Sequence, residues 1–118
     1  IICLDKHTTG DGIVSALQVL AALRSRNETL EQACADLRMY PQKLVNVRFT
    51  SPGFDWKSNA AIQSAVADAE RGLNGQGRVL LRPSGTEPLL RVMVEGPDAG
   101  IVAAQAESIA NAVRLAVG

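Results

Sequence analysis

The stretch GRVLLRPSGTEPLLRVMVEG, residues 77–96, decides the fold of this chain. RVLLR and PLLRVMVEG both read as strands, and the turn residues between them make the pair an antiparallel hairpin. Pairing Arg82 with Leu89 across the turn sets Leu80 opposite Arg91. Arg91 then lies on the same sheet face as Arg82, one diagonal step away and within reach of a long side chain. Val79, Leu81, Leu90 and Val92 take the other face and are available to pack under helices.

Working outward, KLVNVRFT (residues 43–50) alternates. Val45, Val47 and Phe49 fall on one side and Asn46 and Arg48 on the other, as in a half-buried strand. SPGFD is a loop. A helix is expected from about residue 56 to 71, burying Ile62, Ala65, Ala69 and Leu73. GLNGQG then forms an exposed connection to the hairpin. Beyond it, Asp98 is positioned to cap a last helix whose buried stripe is Val102, Ala106, Ile109 and Val113. The order β-α-β-β-α predicts an α+β unit, a small antiparallel sheet with two helices on one face.

Ahead of that unit, residues 1–4 read as a short strand and HTTGDG as a turn offering Thr9 or Asp11 as a cap. A helix over residues 12–26 presents Ile13, Leu17, Leu20 and Ala21, with Asn27 as its stop. A shorter one starts at Thr29, where Gln32 completes a capping box, and shows Leu30, Ala33, Cys34 and Leu37. RMYPQ breaks the pattern, because Pro41 holds the residue before it extended. The expected division is residues 1–37, the strand-helix-helix tail of an α/β domain, and residues 38–118.

The 118 residues suit one domain, or a small domain plus part of another. Lys and Arg balance Asp and Glu at 12 each, which argues against a nucleic-acid partner. No apolar run nears the roughly 20 residues that span a bilayer. IICLDKH opens inside an apolar run without an initiator Met or a signal-peptide layout, so a piece of a longer protein is expected. Cys3 and Cys34 are expected to be buried thiols in a reducing compartment, with a disulfide as the alternative.

The chemistry concentrates in the turn. Two guanidiniums converge beside the hydroxyls of Ser84 and Thr86 and the N–H groups of Ser84, Gly85 and Thr86. Gly85 permits a backbone that turns N–H groups inward, and Pro83 and Pro88 stiffen the flanks. Guanidinium forks match tetrahedral oxyanions, so the combination reads as a phosphate cradle. The alternative is a decorated hairpin whose arginines pair with Glu87 and Glu95, and composition leaves both open. Glu87 is expected to orient Arg82 or Arg91, and Arg78 to be a solvated residue. His7 lacks a triad partner and is expected to serve packing or a turn. Asp5, Asp11, Asp36 and Asp55 have no metal spacing, and no nucleophile is placed beside a base.

The 77–96 stretch resembles the C-terminal phosphate-binding segment of the α-D-phosphohexomutase superfamily. LDKHTTGDGIVSALQVLAAL resembles the segment after that family's sugar-binding loop, and YPQKLVNVRFT the strand opening its fourth domain. The resemblance runs the full chain and points to the amino-sugar branch. It implies the end of a third domain (1–37) and a fourth, phosphate-binding domain (38–118) hinged near residues 38–41. The substrate-phosphate ligands would be Arg82, Ser84, Gly85, Thr86 and Arg91, supported by Glu87. The implied reaction interconverts glucosamine 6-phosphate and glucosamine 1-phosphate through a bisphosphate, feeding cell-wall synthesis in a bacterial cytoplasm. The phosphoserine and the Mg²⁺ loop would lie outside this chain, which would be inactive alone. The implied partners are the sugar phosphate, the remaining domains of the same enzyme and, as an open option, a second copy. Neither nucleic acid nor membrane is among them. The alternatives are a phosphomannomutase or phosphoglucomutase of the same superfamily, or a non-enzymatic anion-binding module.

Overall fold

A computed structural model describes residues 2–49 and 54–117. The chain divides into two compact units, residues 1–38 and 39–118.

The first unit contains α1 (Gly12–Arg26) and α2 (Leu30–Ala33). Asp11 caps α1, its Oδ1 accepting from the N–H groups of Ile13 and Val14 at 2.8 and 2.9 Å. Asn27 ends the helix in the left-handed region at φ 54°, a conformation Asn tolerates better than most residues. Thr29 and Gln32 form the reciprocal capping box read from their spacing. Neither helix buries a residue, and Ile13, Leu17, Leu20, Leu30 and Leu37 stay exposed. Residues 2–4 are not a strand, contrary to expectation, because they pair with no other described strand. Ile1 lies outside the described residues. Cys3 is half-buried and Cys34 exposed, both as free thiols, so the expectation of two buried thiols fails. Cys34 ends α2, whose residues are all exposed, so among the described residues nothing covers it.

The second unit runs β1 (Gln42–Arg48), α3 (Ala60–Gly72), β2 (Arg78–Pro83), β3 (Leu89–Glu95) and α4 (Ala99–Val117). The strands form an antiparallel sheet in the order β1-β3-β2. Alternation sends Val45 and Val47 of β1 and Leu90, Val92 and Val94 of β3 to one face. There they pack with Ile62, Ala69 and Leu73 of the α3 segment and Val102, Ala106, Ile109 and Val113 of α4. Val79 and Leu81 flank this core. Ala106 and Ala110 let α4 sit close to the sheet, which suits a chain with so few aromatic residues. Asp98 Oδ1 accepts from the Ile101 N–H at 2.8 Å and caps α4.

Helix α3 begins at Ala60, four residues later than its periodicity suggests. Asp55 Oδ1 gathers the N–H groups of Lys57 and Ser58 into a turn, and Asn59 Oδ1 then caps the helix through Ala61 and Ile62. Side-chain oxygens that satisfy free N–H groups outweigh the apolar spacing of Trp56. The expected loop over 51–55 lies largely outside the described residues, as does Thr50.

The two glycines flanking the hairpin are a packing requirement. A Cβ on Gly77 would lie 2.3 Å from the Glu95 carbonyl oxygen and 3.2 Å from the Gly96 Cα. One on Gly96 would lie 2.9 Å from Leu73 Cδ2. At Gly77 the obstacle is strand backbone, which only glycine tolerates, whereas at Gly96 it is the end of the Leu73 side chain.

Candidate functional site

The face of the sheet away from the helices carries the polar side chains. Arg82 stands directly opposite Arg91, Leu80 opposite Met93 and Arg78 opposite Glu95. This register is two residues from the expected one, which had set Arg82 against Leu89. A two-residue slip keeps every side chain on its face, so the convergence of the two arginines survives and tightens. On the other side of β3, Asn46 faces Arg91, Leu44 faces Met93 and Arg48 faces Leu89. Gln42, Leu44, Leu80, Met93 and the two arginines line a shallow depression of about 250 Å³.

Every arginine on this face except two has an acidic partner. Arg78 Nε lies 2.8 Å from Glu95 Oε1, and Arg48 Nη2 lies 3.2 Å from Glu87 Oε1. The expectation that Glu87 orients Arg82 or Arg91 is therefore corrected: its partner comes from β1, which strand order places beside β3. Arg78 is ion-paired rather than simply solvated. Among the described residues, Arg82 and Arg91 have no carboxylate partner, and they carry the uncompensated positive charge of the face.

The turn is closed by the Ser84 N–H, which donates to the Leu89 carbonyl at 2.9 Å. That N–H is consequently committed, contrary to the reading that offered it to a ligand. Thr86 N–H points to Ser84 Oγ at a long 3.5 Å, and Arg91 Nη2 donates to the same oxygen at 3.5 Å. Gly85 N–H has no partner among the described residues. Gly85 is not in the left-handed region, and a Cβ built on it meets nothing within 4 Å. Its contribution is an open approach to the turn backbone rather than an unusual backbone angle. Ser84 is half-buried, and Gly85 and Thr86 are exposed.

The other candidates stay apart. His7 Nδ1 accepts from the Thr9 N–H at 3.3 Å, a local turn contact in the first unit. Among the described residues no group of three His, Cys, Asp or Glu could hold a metal ion. No helix among them is long and apolar enough to cross a membrane. A second depression of about 170 Å³, between the end of α3 and the start of α4, is lined by Leu73, Asp98 and Ile101 among others and offers no cation. Sequence reasoning missed the Arg48–Glu87 pair and the Leu44–Met93–Leu80 row beside the arginines. Alternation had put Asn46 and Arg48 on a common face, but only strand order brings them to the turn.

Fold and face together define a helix-backed α+β domain presenting two unpaired arginines beside a hydroxyl-bearing turn. Residues 44–112 match the family described as phosphoglucomutase/phosphomannomutase, C-terminal domain, and residues 1–40 match its alpha/beta/alpha domain III. The chain belongs to the phosphoglucomutase/phosphomannomutase family. It is 66% identical to a phosphoglucosamine mutase of Azoarcus sp. over 117 residues, which is 99% of this chain and 26% of that protein. A phosphoglucosamine mutase of Thiobacillus denitrificans is 60% identical over 98% of the chain and 25% of its own length. The chain thus spans about a quarter of these relatives. Among solved structures, Aspergillus fumigatus N-acetylphosphoglucosamine mutase, in complex with GlcNAc-6P and magnesium, aligns with a TM-score of 0.73 and 29% identity. That alignment covers 92% of this chain and 22% of that one. An N-acetylglucosamine-phosphate mutase of the α-D-phosphohexomutase superfamily shares the fold, with a TM-score of 0.64 and 22% identity over 88% of this chain and 21% of its own.

Proposed function

We propose that this chain is the end of the third domain and the phosphate-gripping fourth domain of a phosphoglucosamine mutase. The reaction is the interconversion of glucosamine 6-phosphate and glucosamine 1-phosphate through a bisphosphate. One observation carries the reading: Arg82 and Arg91 face each other across the hairpin, free of carboxylates among the described residues and beside Ser84 Oγ. A phosphate at that point would take bidentate hydrogen bonds from the two guanidiniums and further ones from the Ser84 and Thr86 hydroxyls and the Gly85 N–H.

Phosphoryl transfer depends mainly on positioning and on stabilising charge. A grip on the phosphate that is not reacting supplies remote binding energy that holds the sugar for transfer at its other end. The same grip would serve either phosphate of the bisphosphate. The segment 38–41, which has no regular structure, would act as the hinge that lets the sugar turn. The described residues of this chain do not fit a magnesium site. The metal and the phosphoryl-donating serine belong, on this reading, to other segments of the enzyme.

Titrating the chain with glucosamine 6-phosphate, inorganic phosphate and glucosamine tests the reading. The two phosphates should shift the backbone amide signals of Gly85 and Thr86, and glucosamine should not. Equal responses from glucosamine, or no response to either phosphate, would overturn it. The chain by itself should form no glucosamine 1-phosphate, and turnover by it would refute the assignment of the chemistry to other segments.

A further inference from the structure

We propose that Arg48 is a positioning residue for the anion site, holding the Glu87 carboxylate aside so that Arg82 and Arg91 stay open to a phosphate. The inference rests on the clamp reading above. Glu87 occupies the same turn as Ser84, whose Oγ lies 3.5 Å from Arg91 Nη2. A carboxylate carried on the turn that joins the strands of two unpaired guanidiniums is an internal competitor, because carboxylate fits the guanidinium fork as phosphate does. Glu87 is nevertheless bonded to Arg48, 39 residues earlier in the chain, at 3.2 Å.

The neighbouring peptide reinforces that hold. Phe49 N–H donates to the Pro88 carbonyl at 3.0 Å, so the end of β1 fixes Glu87 through a side chain and Pro88 through the backbone. The register sets Arg48 opposite Leu89, at the turn end of the same face as Arg82 and Arg91. The paired side chains are 71% and 48% exposed, so the pair adds little to stability. Its consequence lies in local charge instead, since it removes the one anion of the turn from the arginines. Arg78 does the same for Glu95 at the far end of the strands.

The test compares inorganic phosphate binding at fixed pH and ionic strength for the chain and for Arg48→Lys, Arg48→Met and Arg48→Met/Glu87→Gln, read at the Gly85 and Thr86 amides. Arg48→Met should weaken binding about two- to five-fold, the size expected of one exposed charge pair. Arg48→Lys should keep most of the affinity, and adding Glu87→Gln to Arg48→Met should restore it. Unchanged binding in Arg48→Met overturns the proposal. So does a double variant as weak as the single one, which would mean that Arg48 only props up the turn. Arg82→Ala separates this inference from the clamp. If Arg82→Ala loses the phosphate response while Arg48→Met keeps it, only the inference on Arg48 falls. If Arg82→Ala binds like the parent, the clamp reading falls with it.

Discussion

Arg82 and Arg91 are direct cross-strand partners on the open face of the sheet. Like charges so placed repel, and a sheet selected for stability alone would set a carboxylate or an apolar group at one of the two positions. Two carboxylates do lie on this side of the hairpin, and each is taken by another arginine. The conflict is local, it sits beside a turn with an open backbone, and a bound anion would relieve it. A departure from local consistency of this kind is where function is to be sought.

Arg82→Ala should therefore separate stability from binding. Removing one of two facing charges should leave thermal stability unchanged or slightly raised, while phosphate affinity falls about ten-fold or more, as expected on losing a charged hydrogen bond. Inorganic phosphate should raise the melting temperature of the parent chain and do so much less for the variant. A variant that is destabilised yet still responds to phosphate would give Arg82 a structural role instead.

The glycines make a contrasting pair. Gly77→Ala drives a Cβ to within 2.3 Å of the Glu95 carbonyl, with the Gly96 Cα at 3.2 Å and Leu73 Cδ2 at 3.0 Å, so backbone has to shift. A loss of about 2 kcal/mol or more is expected, at the upper end of ordinary single substitutions. Gly85→Ala enters open space without backbone strain and should be neutral or stabilising by about 0.4–1 kcal/mol through the unfolded chain. Its phosphate affinity should fall, because the methyl group stands before the turn N–H. Denaturant melts and one titration of each variant decide both points.

Local chemistry made most of this architecture readable. Asp11, Asn27, Thr29 with Gln32, and Asp98 mark helix ends through hydrogen bonds to their own neighbours, and those bonds are present. Strand parity was readable too, since burying Val45, Val47, Leu90 and Val92 admits one choice of face. The hairpin register was not, because a two-residue slip buries the same side chains, and it is the backbone ladder closed by the Ser84–Leu89 bond that tells the alternatives apart. The partner of Glu87 depends on β1 lying beside β3, a long-range pairing that no local pattern encodes. Helix α3 starts late because Asp55 and Asn59 satisfy N–H groups in succession, a competition that apolar spacing does not register.

The Asp55 turn gives the second unit a mild acid sensitivity. Hydrogen bonding from the Ser58 side chain is the main cause holding the Asp55 carboxyl below its ordinary 3.8. Desolvation opposes it, and the N–H groups of Ser58 and Lys57 and the Lys57 charge add smaller effects in the lowering direction. A carboxyl lowered in the folded state stabilises the fold fully above 3.8, and that contribution is lost as pH falls through the lowered value. Ser58→Ala should move the Asp55 titration up toward 3.8, read from the side-chain carboxyl carbon signal. A titration that does not move would remove Ser58 as the cause.

Burial predicts which apolar residues matter to this chain. Every buried side chain among the described residues lies between Val45 and Val113, whereas Ile13 and Leu17 on α1 are 75% and 57% exposed. Ile109→Ala should cost about 2–5 kcal/mol, since the site is fully enclosed by sheet and helix and the cavity cannot collapse freely. Ile13→Ser and Leu17→Ser, equally severe by sequence pattern, should leave the main unfolding transition within about 0.5 kcal/mol of the parent, as surface changes do. They should also make the chain less prone to associate, because they break an exposed apolar stripe. The piece spanning residues 39–118 should for the same reason unfold cooperatively and keep the phosphate response at Gly85 and Thr86. A non-cooperative melt of that piece would show that the core within it is not sufficient for folding.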